Sequence, residues 1–481
     1  MNVAFIGIKE PHQSFGHIGM EIIAELLAHY EHNVIGLTES TFDTSSFLTA
    51  DEKRKLKALQ SFNPDYVCFS ILTHRYQWCL KFAALVKANI PSAKIVFGGP
   101  HASAVPDVVI AEDVVDIVCV GEGEYAMLEL VTRYRTNIQN LWFKDGKRIV
   151  SNSLRPLIKD LDSLPFPKRS LWQDLPESEF NYYLLTVSRG CPYSCSYCQN
   201  NTYHKLYSHE NIVRFRSVEN VIAELKHAKK QYKIKWVLPL DDNLTLNPKW
   251  FKEFAEQYKK HINVPYCATT HPLTVDAERA ELLKMSGCRF VKIGIQSGSE
   301  KVRMLLMNRH ETNQQLLSAA SICKHVKLKF TLDHIFGVDD SSEALHDSVD
   351  LYNTARPTQL NSFQLYFFPC TDIIVRKNLS PEDVAKINNG TYQSGSIKGH
   401  HNLPYRNLFT VLPLLPKKLV SAVNNNSMLM SFFTNIPEPI LMCAKIATNI
   451  KLKNTPALVS NLKFLPHKFK ERLRGYKGDF D

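Results

Sequence analysis

At 481 residues the chain is too long for one ordinary domain, and 44% hydrophobic with 22% charged residues is a soluble globular composition, which excludes disordered and fibrous classes. No transmembrane span is expected, because the C-terminal apolar stretches are broken by Lys417, Lys418, Pro437, Glu438 and Pro439. The net charge of +11 is partly a tail property: residues 446–481 carry eight Lys/Arg against three Asp/Glu. A solvated, solubilising face accounts for that excess, with RNA, anionic lipid or a phosphorylated substrate as alternatives. Residues 1–8 lack the basic start and cleavage site of a secretory signal and read as a first strand. Eight of the 11 cysteines (Cys68, Cys79, Cys119, Cys267, Cys288, Cys323, Cys370 and Cys443) are scattered through apolar runs at no disulfide-like spacing, as expected of reduced thiols in a cytoplasmic protein.

In chain order, short apolar strands are predicted at 2–8, 33–38, 66–72, 94–98 and 116–120, with amphipathic segments such as 19–30 and 75–88 between them. Such alternation predicts a parallel, doubly wound sheet. Ligands of these sheets bind at the carboxyl ends of the strands. The informative loops are therefore 10–19, Ser70-Ile-Leu-Thr73, Gly98-Gly-Pro-His101 and Gly121-Glu-Gly-Glu124. Glycines there let a flat ring or its tail lie against backbone; the plainer reading is that Gly-Gly-Pro merely ends a strand. Residues 131–172 read as a connector, with a hairpin around Asp145-Gly146 and a linker stiffened by Pro156, Pro165 and Pro167. From 182 to 369 the strand and helix period returns, with strands predicted at 182–188, 235–240, 266–270, 290–296, 329–336 and 363–368.

Directly after the first of these comes Ser188-Arg-Gly-Cys-Pro-Tyr-Ser-Cys-Ser-Tyr-Cys-Gln-Asn200. Cys191, Cys195 and Cys198 on one short loop can hold three irons of a [4Fe-4S] cluster, leaving the fourth iron open to a cosubstrate. A zinc site completed by His204 and a group of inert buried thiols are the alternatives. The CxxxCxxC spacing and its setting resemble the radical S-adenosylmethionine superfamily. That resemblance implies a partial (β/α)6 TIM-type barrel with its chemistry on the loops after the strands. It also implies that the reduced cluster cleaves S-adenosylmethionine to a 5′-deoxyadenosyl radical. Residue by residue, it places Tyr197 beside the adenine and Asp241, Asp242 and Asn243 at the methionyl amine. Gln296 and Ser297, in Gly294-Ile-Gln-Ser-Gly-Ser-Glu300, match the ribose loop, with Gln where relatives carry Glu, and Gly337 matches the glycine that approaches adenine. A turn in which Asn243 or Thr245 caps the next helix is the plainer reading of the second loop. Arg309, His310 and Glu311 read equally well as a solvated helix end. Cys370 stands where relatives carry Gly and reads as structural, with hydrogen-atom donation as the alternative.

The first 130 residues resemble the Rossmann-like cobalamin-binding domain fused in front of many such enzymes. Ser70, Leu72, Gly98 and Gly99 match the positions that accept the corrin's nucleotide tail, and Gly121-Glu122 matches the last strand-end loop. One departure is visible. Relatives that ligate cobalt carry Asp-x-His-x-x-Gly, whereas this chain has Glu10-Pro-His12-Gln-Ser-Phe-Gly16, so neither His12 nor His17 is carried over as an axial ligand.

The expected organisation is thus a cobalamin-type domain (1–130), a hairpin and Pro-rich linker (131–172), a radical barrel (173–371) and a helical, basic C-terminal region (372–481). In that last region Ser380-Pro381 reads as a helix start, and the apolar clusters around 428–433 and 440–444 read as packing, with peripheral membrane contact as an alternative. The implied activity is methylation, or cyclisation or rearrangement, at an unactivated carbon of a small-molecule or lipid-like substrate. An external electron donor such as flavodoxin or ferredoxin would serve it, and nucleic acid is not expected. The rivals are a methylthiotransferase acting on RNA or protein, which needs a second cysteine set that only Cys68, Cys79 and Cys119 could supply, and a non-enzymatic cobalamin or redox sensor.

Overall fold

The computed structural model describes residues 1–8, 16–39, 50–146, 148–175, 181–392 and 402–457. It forms two compact units that do not follow linear order: Met1–Phe180 with Arg189–Arg216 and Phe367–Tyr392 in the first, and Asn181–Ser188, Ser217–Tyr366 and Gln393–Asp481 in the second.

The first unit is built on seven strands: β1 (Asn2–Ile8), β2 (Asn33–Glu39), β3 (Tyr66–Ser70), β4 (Lys94–Gly98), β5 (Ile117–Cys119), β6 (Leu141–Asp145) and β7 (Arg148–Ser151), in the order β2-β1-β3-β4-β5-β6-β7. The first five run parallel, as their period predicts. Parallel strands joined by crossover helices are covered on both faces, and side chains here alternate accordingly: Ala4, Ile6 and Val67 enter one apolar core, Val3, Phe5 and Cys68 the other. The hairpin extends this sheet with two antiparallel strands. Its alternation explains the docking, since Leu141 and Phe143 are buried in the second core while Trp142 packs on the first. Strand order reverses on either side of β1, which makes the carboxyl ends of β1 and β3 the switch point where such sheets bind ligands.

The second unit carries six parallel strands, Tyr182–Leu185, Trp236–Pro239, Tyr266–Thr270, Cys288–Gln296, Lys329–Phe336 and Gln359–Gln364, paired in sequence order as a partial barrel. The five longer connecting helices start on side-chain caps, whereas the short Glu300–Leu305 has none. Ser217, Asn247, Asp276, Thr312 and Ser341 accept from backbone N–H groups of Val218–Gln231, Pro248–His261, Ala277–Ser286, Asn313–His325 and Ser342–Ala355. The sixth strand begins four residues before the predicted 363–368, because Leu360 is its inward anchor and Phe363 is 51% exposed. Helices Leu403–Val411, Lys417–Asn424 and Glu438–Leu452 follow, and no described helix is long and apolar enough to cross a membrane. Ser380 caps Pro381–Asn388 as expected, in the first unit.

Candidate active site

The cysteine loop is shaped by its own backbone. Gly190 has φ +80, and a Cβ there would stand 2.1 Å from the Ile212 carbonyl, so no other residue fits. Cys195 is buried and Cys191 and Cys198 are half-buried. The Cys198 N–H donates to the Cys195 carbonyl (3.1 Å), the Asn201 N–H to that of Cys198 (3.0 Å) and the Ile373 N–H to that of Ser196 (2.9 Å). Asn200 Nδ2 lies 3.8 Å from Cys198 Sγ, a donor suited to thiolate sulfur. His204 Nε2 is 2.9 Å from the Cys191 carbonyl, so that nitrogen donates to backbone and is not a fourth metal ligand. Among the described residues no group of three or more His, Cys, Asp or Glu side chains stands ready for a single metal ion. Three thiols on one short loop fit a cluster in which each sulfur takes its own iron.

Arg189, two residues before Cys191, is anchored on the last parallel strand end of the sheet. Its Nη1 donates to Glu122 (2.8 Å) and its Nη2 to Glu124 (2.5 Å). Glu122 also accepts from Arg214 at 2.9 and 3.0 Å and from the Ile158 N–H at 2.8 Å. Burial raises the Glu122 carboxyl, but the Arg214 hydrogen bond and the Arg189 and Arg214 charges outweigh it and hold it below its usual value. Glu122, expected on the last strand-end loop of a cobalamin site, thus ties that strand end to Arg189 before the cysteine loop and to Arg214 after it.

Ser70, Gly98, Gly99 and Gly121 come together at the same edge. Gly99 has φ +87, and a Cβ there would lie 2.7 Å from the Ile71 nitrogen and 2.8 Å from Ser70 Oγ. Ser103, which sequence reasoning missed, links two of the loops: its Oγ donates to the Gly99 carbonyl and accepts from the Gly121 N–H, both at 2.9 Å. Leu72 is half-buried just beyond β3. His101 is buried against Tyr76, with its Nδ1 3.1 Å from Thr73 Oγ1, and burial lowers it to about 4, so it is neutral at ordinary pH. Glu10 and His12 lie outside the described residues, and His17 is tied to the end of β1, its Nε2 accepting from the Ile8 N–H at 2.9 Å. Small residues at the ends of β3, β4 and β5, next to the switch point, give a backbone-lined edge that fits a corrin tail along Ser70 and Gly98-Gly99, whereas at Gly121 the Tyr207 hydroxyl occupies the space a Cβ would take (2.0 Å).

In the second unit, Asp241 is buried and accepts from the Val187 N–H (3.1 Å), the Ser188 N–H (2.6 Å) and Ser188 Oγ (2.6 Å). Burial raises its carboxyl to about 6 despite those bonds. Its neighbour Asp242 is exposed. Asn243 is buried; its Oδ1 accepts from Thr245 and Thr274, and its Nδ2 has no partner among the described residues, a donor suited to a cosubstrate carboxylate. The helix that follows is capped by Asn247, not by Asn243 or Thr245. Gln296 has φ +71, unusual for a residue with a side chain, at a register shift that ends the fourth strand. Ser297 is buried beside it. Gly337 has φ +91, donates to Asp340 at 2.8 Å, and would collide with Gln364 if it carried a Cβ (2.5 Å). Tyr197 is half-buried on the cysteine loop, in the first unit.

The expected solvated helix end after the fourth strand is instead a buried ion network. Arg309 and Glu311 are 6% and 2% exposed, and Arg303 is fully buried. Arg309 donates to Glu311 (2.6 Å) and to the Gly294 carbonyl (2.6 Å); Arg303 donates to the Ser297 carbonyl (2.7 Å); His271 Nε2 is 3.6 Å from Glu311. The guanidinium groups thereby fix both ends of the Gln296-Ser297 loop. Cys370 is exposed, with its Sγ 3.1 Å from the Ala104 carbonyl. Cys68 and Cys119 lie in one core of the sheet and Cys79 in the other, all buried, with no loop in common, which argues against a second cluster.

Comparisons with known proteins identify the two domains. Residues 185–351 match the Radical SAM superfamily and residues 8–131 the B12 binding domain. An uncharacterised methyltransferase of Pyrococcus horikoshii is 28% identical over 60% of this chain and 63% of its own length. An anaerobic magnesium-protoporphyrin IX monomethyl ester cyclase of Cereibacter sphaeroides is 23% identical over 73% of this chain and 60% of its own. The match therefore spans under two thirds of either relative. Among solved structures, the cobalamin-dependent S-adenosylmethionine radical enzyme OxsB with aqua-cobalamin covers 97% of this chain and 81% of its own, at 11% identity and TM-score 0.68. The radical S-adenosylmethionine methyltransferase TsrM of Kitasatospora setae covers 77% and 74%, at 15% identity and TM-score 0.64. These structures share the fold. The cofactor set of the two matched domains is a [4Fe-4S] cluster, S-adenosylmethionine and cobalamin.

Proposed function

Because the chain belongs to the cobalamin-dependent radical SAM family, with a B12 binding domain ahead of its radical SAM domain, we propose that it transfers a methyl group to an unactivated carbon of a small-molecule or lipid-like substrate. The observation that carries this reading is the joint between the two cofactor loops: Arg189 beside Cys191 is held by Glu122 and Glu124 of the last strand end of the B12-type sheet. A relative named as a methyltransferase and another named as a cyclase frame the choice of outcome. When bound, the cluster and corrin supply the electron that cleaves S-adenosylmethionine and the methyl group to be transferred.

The chain's own residues bind and orient. Cys191, Cys195 and Cys198 are the cluster ligands. Asp241 fixes the backbone just before the cysteine loop, while Asp242 and Asn243 present a carboxylate and an amide donor to the methionyl ammonium and carboxylate. Gln296, held by the arginine network, hydrogen-bonds ribose, and the backbone around Gly337 meets adenine. Electrons come from an external donor of the flavodoxin or ferredoxin type.

Anaerobically reconstituted protein given S-adenosylmethionine, a strong reductant and methylcobalamin is expected to release 5′-deoxyadenosine. Absence of release from protein shown to contain the cluster and to bind S-adenosylmethionine would overturn the reading. Cys195→Ala is expected to lose iron and cleavage together.

A further inference from the structure

The partial barrel has an inner face that the cofactor loops do not account for. Val291, Ile293 and Ile295 on the fourth strand and Phe330, Leu332 and Phe336 on the fifth point into the core shared with the helices. Trp236, Cys267 and Phe290 face the other way and, with Leu452, form a separate apolar floor. By the two-residue period of a strand, Lys292 lies on this inner face above Phe290 and below Gly294 and Gln296. Asp333 and Asn361 share it, since their neighbours Leu332 and Leu360 belong to the helix-side core.

The register makes these residues neighbours. Lys292 pairs with Thr269 on one side and Thr331 on the other, Gly294 pairs with Asp333, and Asp333 with Asn361. Lys292 and Asp333 are thus diagonal partners, within reach of a long side chain. Asn361 Nδ2 donates to Asp333 Oδ1 at 2.7 Å. Lys292, by contrast, is half-buried and among the described residues makes no hydrogen bond or ion pair. Its charge is nonetheless felt by Asp333 and by Cys267 beneath it. A half-buried ammonium beside a carboxylate that already has another partner gains most when an anion enters.

We propose that Lys292, Asp333 and Asn361 form a substrate-recognition subsite on the inner face of the barrel, in which Lys292 takes an anionic oxygen group, a carboxylate or phosphate, and Asp333 takes an adjacent amine or hydroxyl donor. This rests on the reading of the barrel as catalytic, because it places the subsite on the same strand as the cosubstrate loop, two and four residues deeper than Gly294 and Gln296. Lys292 is then a specificity-determining residue that fixes which end of the substrate is turned inward.

The test titrates the cluster-reconstituted full-length protein with inorganic phosphate and, separately, with succinate, by calorimetry. One of the two is expected to bind saturably, which also distinguishes a phosphorylated from a carboxylated substrate. Lys292→Met is expected to weaken that binding about tenfold or more, and Lys292→Arg to keep it within about threefold, the range for losing or retaining one charge-assisted contact. Iron content and the unfolding midpoint establish that each variant is folded; should Lys292→Met fail to fold, Asp333→Asn takes its place, with tighter anion binding expected because a neighbouring negative charge is removed, and unchanged or weaker binding counting against the subsite. Absence of saturable binding of either anion, or equal affinity in wild type and the folded variant, overturns the subsite. Release of 5′-deoxyadenosine by the wild type is scored separately, so failure of the catalytic reading is told apart from failure of the subsite.

Discussion

Glu311 shows how much of the site's rigidity rests on one residue. It is 2% exposed and receives Arg309 at 2.6 Å, while Arg309 and Arg303 reach on to the carbonyls of Gly294 and Ser297. Burial raises its carboxyl, but the His271 hydrogen bond and the Arg309 charge prevail and take it to about 2 from 4.5. The contribution to stability is therefore complete above pH 4.5 and is lost as pH falls toward 2. Glu311→Gln leaves two buried guanidinium groups without their carboxylate and is expected to cost about 3 kcal/mol at pH 7, with a shallower acid limb in urea titrations at pH 7 and pH 3.5. Asp241 behaves oppositely. Burial raises it to about 6 from 3.8, so the folded state holds its proton more tightly and stability falls as pH rises through that window. Asp241→Asn is expected to flatten this slope between pH 4 and pH 7. It also loosens the backbone of Val187 and Ser188, so reconstituted protein is expected to hold less iron per chain than wild type, measured by iron assay.

At the scale of elements, the cysteine loop is one half of a joint whose other half is the turn after β5. Glu122 is 11% exposed and accepts from two arginines and a backbone N–H. Glu122→Gln leaves Arg189 and Arg214 short of a charge in a largely dry setting and is expected to lower stability by about 2 to 4 kcal/mol. If the joint transmits position, the electron paramagnetic resonance signal of the reduced cluster also broadens in that variant, whereas a merely local loss of stability leaves the signal of folded protein unchanged. Local chemistry made one side of this joint legible in the sequence: three cysteines at fixed spacing after a strand need no knowledge of the rest of the chain. The other side was not legible, because Glu122 and Arg189 are 67 residues apart and nothing in either neighbourhood announces the partner. The same holds for Arg309 and Glu311, whose charges look solvated until the fold closes over them. Strand period placed five of the six barrel strands within two or three residues at either end. It misplaced the last, where Tyr366-Phe-Phe368 is apolar but follows the strand, and Gln359–Gln364 is a polar strand anchored by Leu360.

For the whole molecule, the division into compact units matters more than the order of matched domains. The chain leaves one unit for the other between Ser188 and Arg189, so the strand that launches the cysteine loop and the loop itself belong to different units. Residues Arg189–Arg216 and Phe367–Tyr392 cohere with the seven-stranded sheet, through Arg189 and Arg214 on Glu122, the Gln77 side chain on the Asn389 carbonyl at 2.7 Å, and Gly390 against Thr73 and Tyr76. A fragment beginning at residue 173 would carry all three cysteines and the complete radical SAM match, yet its cysteine loop would lose the carboxylates that hold Arg189 and the backbone that receives the 367–392 segment. Half-buried arginines stripped of their carboxylates are costly, and the exposed apolar faces of the segment would favour association. Fragment 173–481 is therefore expected to aggregate, or to bind well under half the iron of the full chain under identical anaerobic reconstitution, and adding separately expressed residues 1–172 is expected to restore part of it. A soluble fragment with full iron content and wild-type cluster absorption would show that the loop is held from the barrel alone. In that case the N-terminal sheet would serve only as a carrier of the corrin, and the Arg189 joint would have no part in cluster assembly.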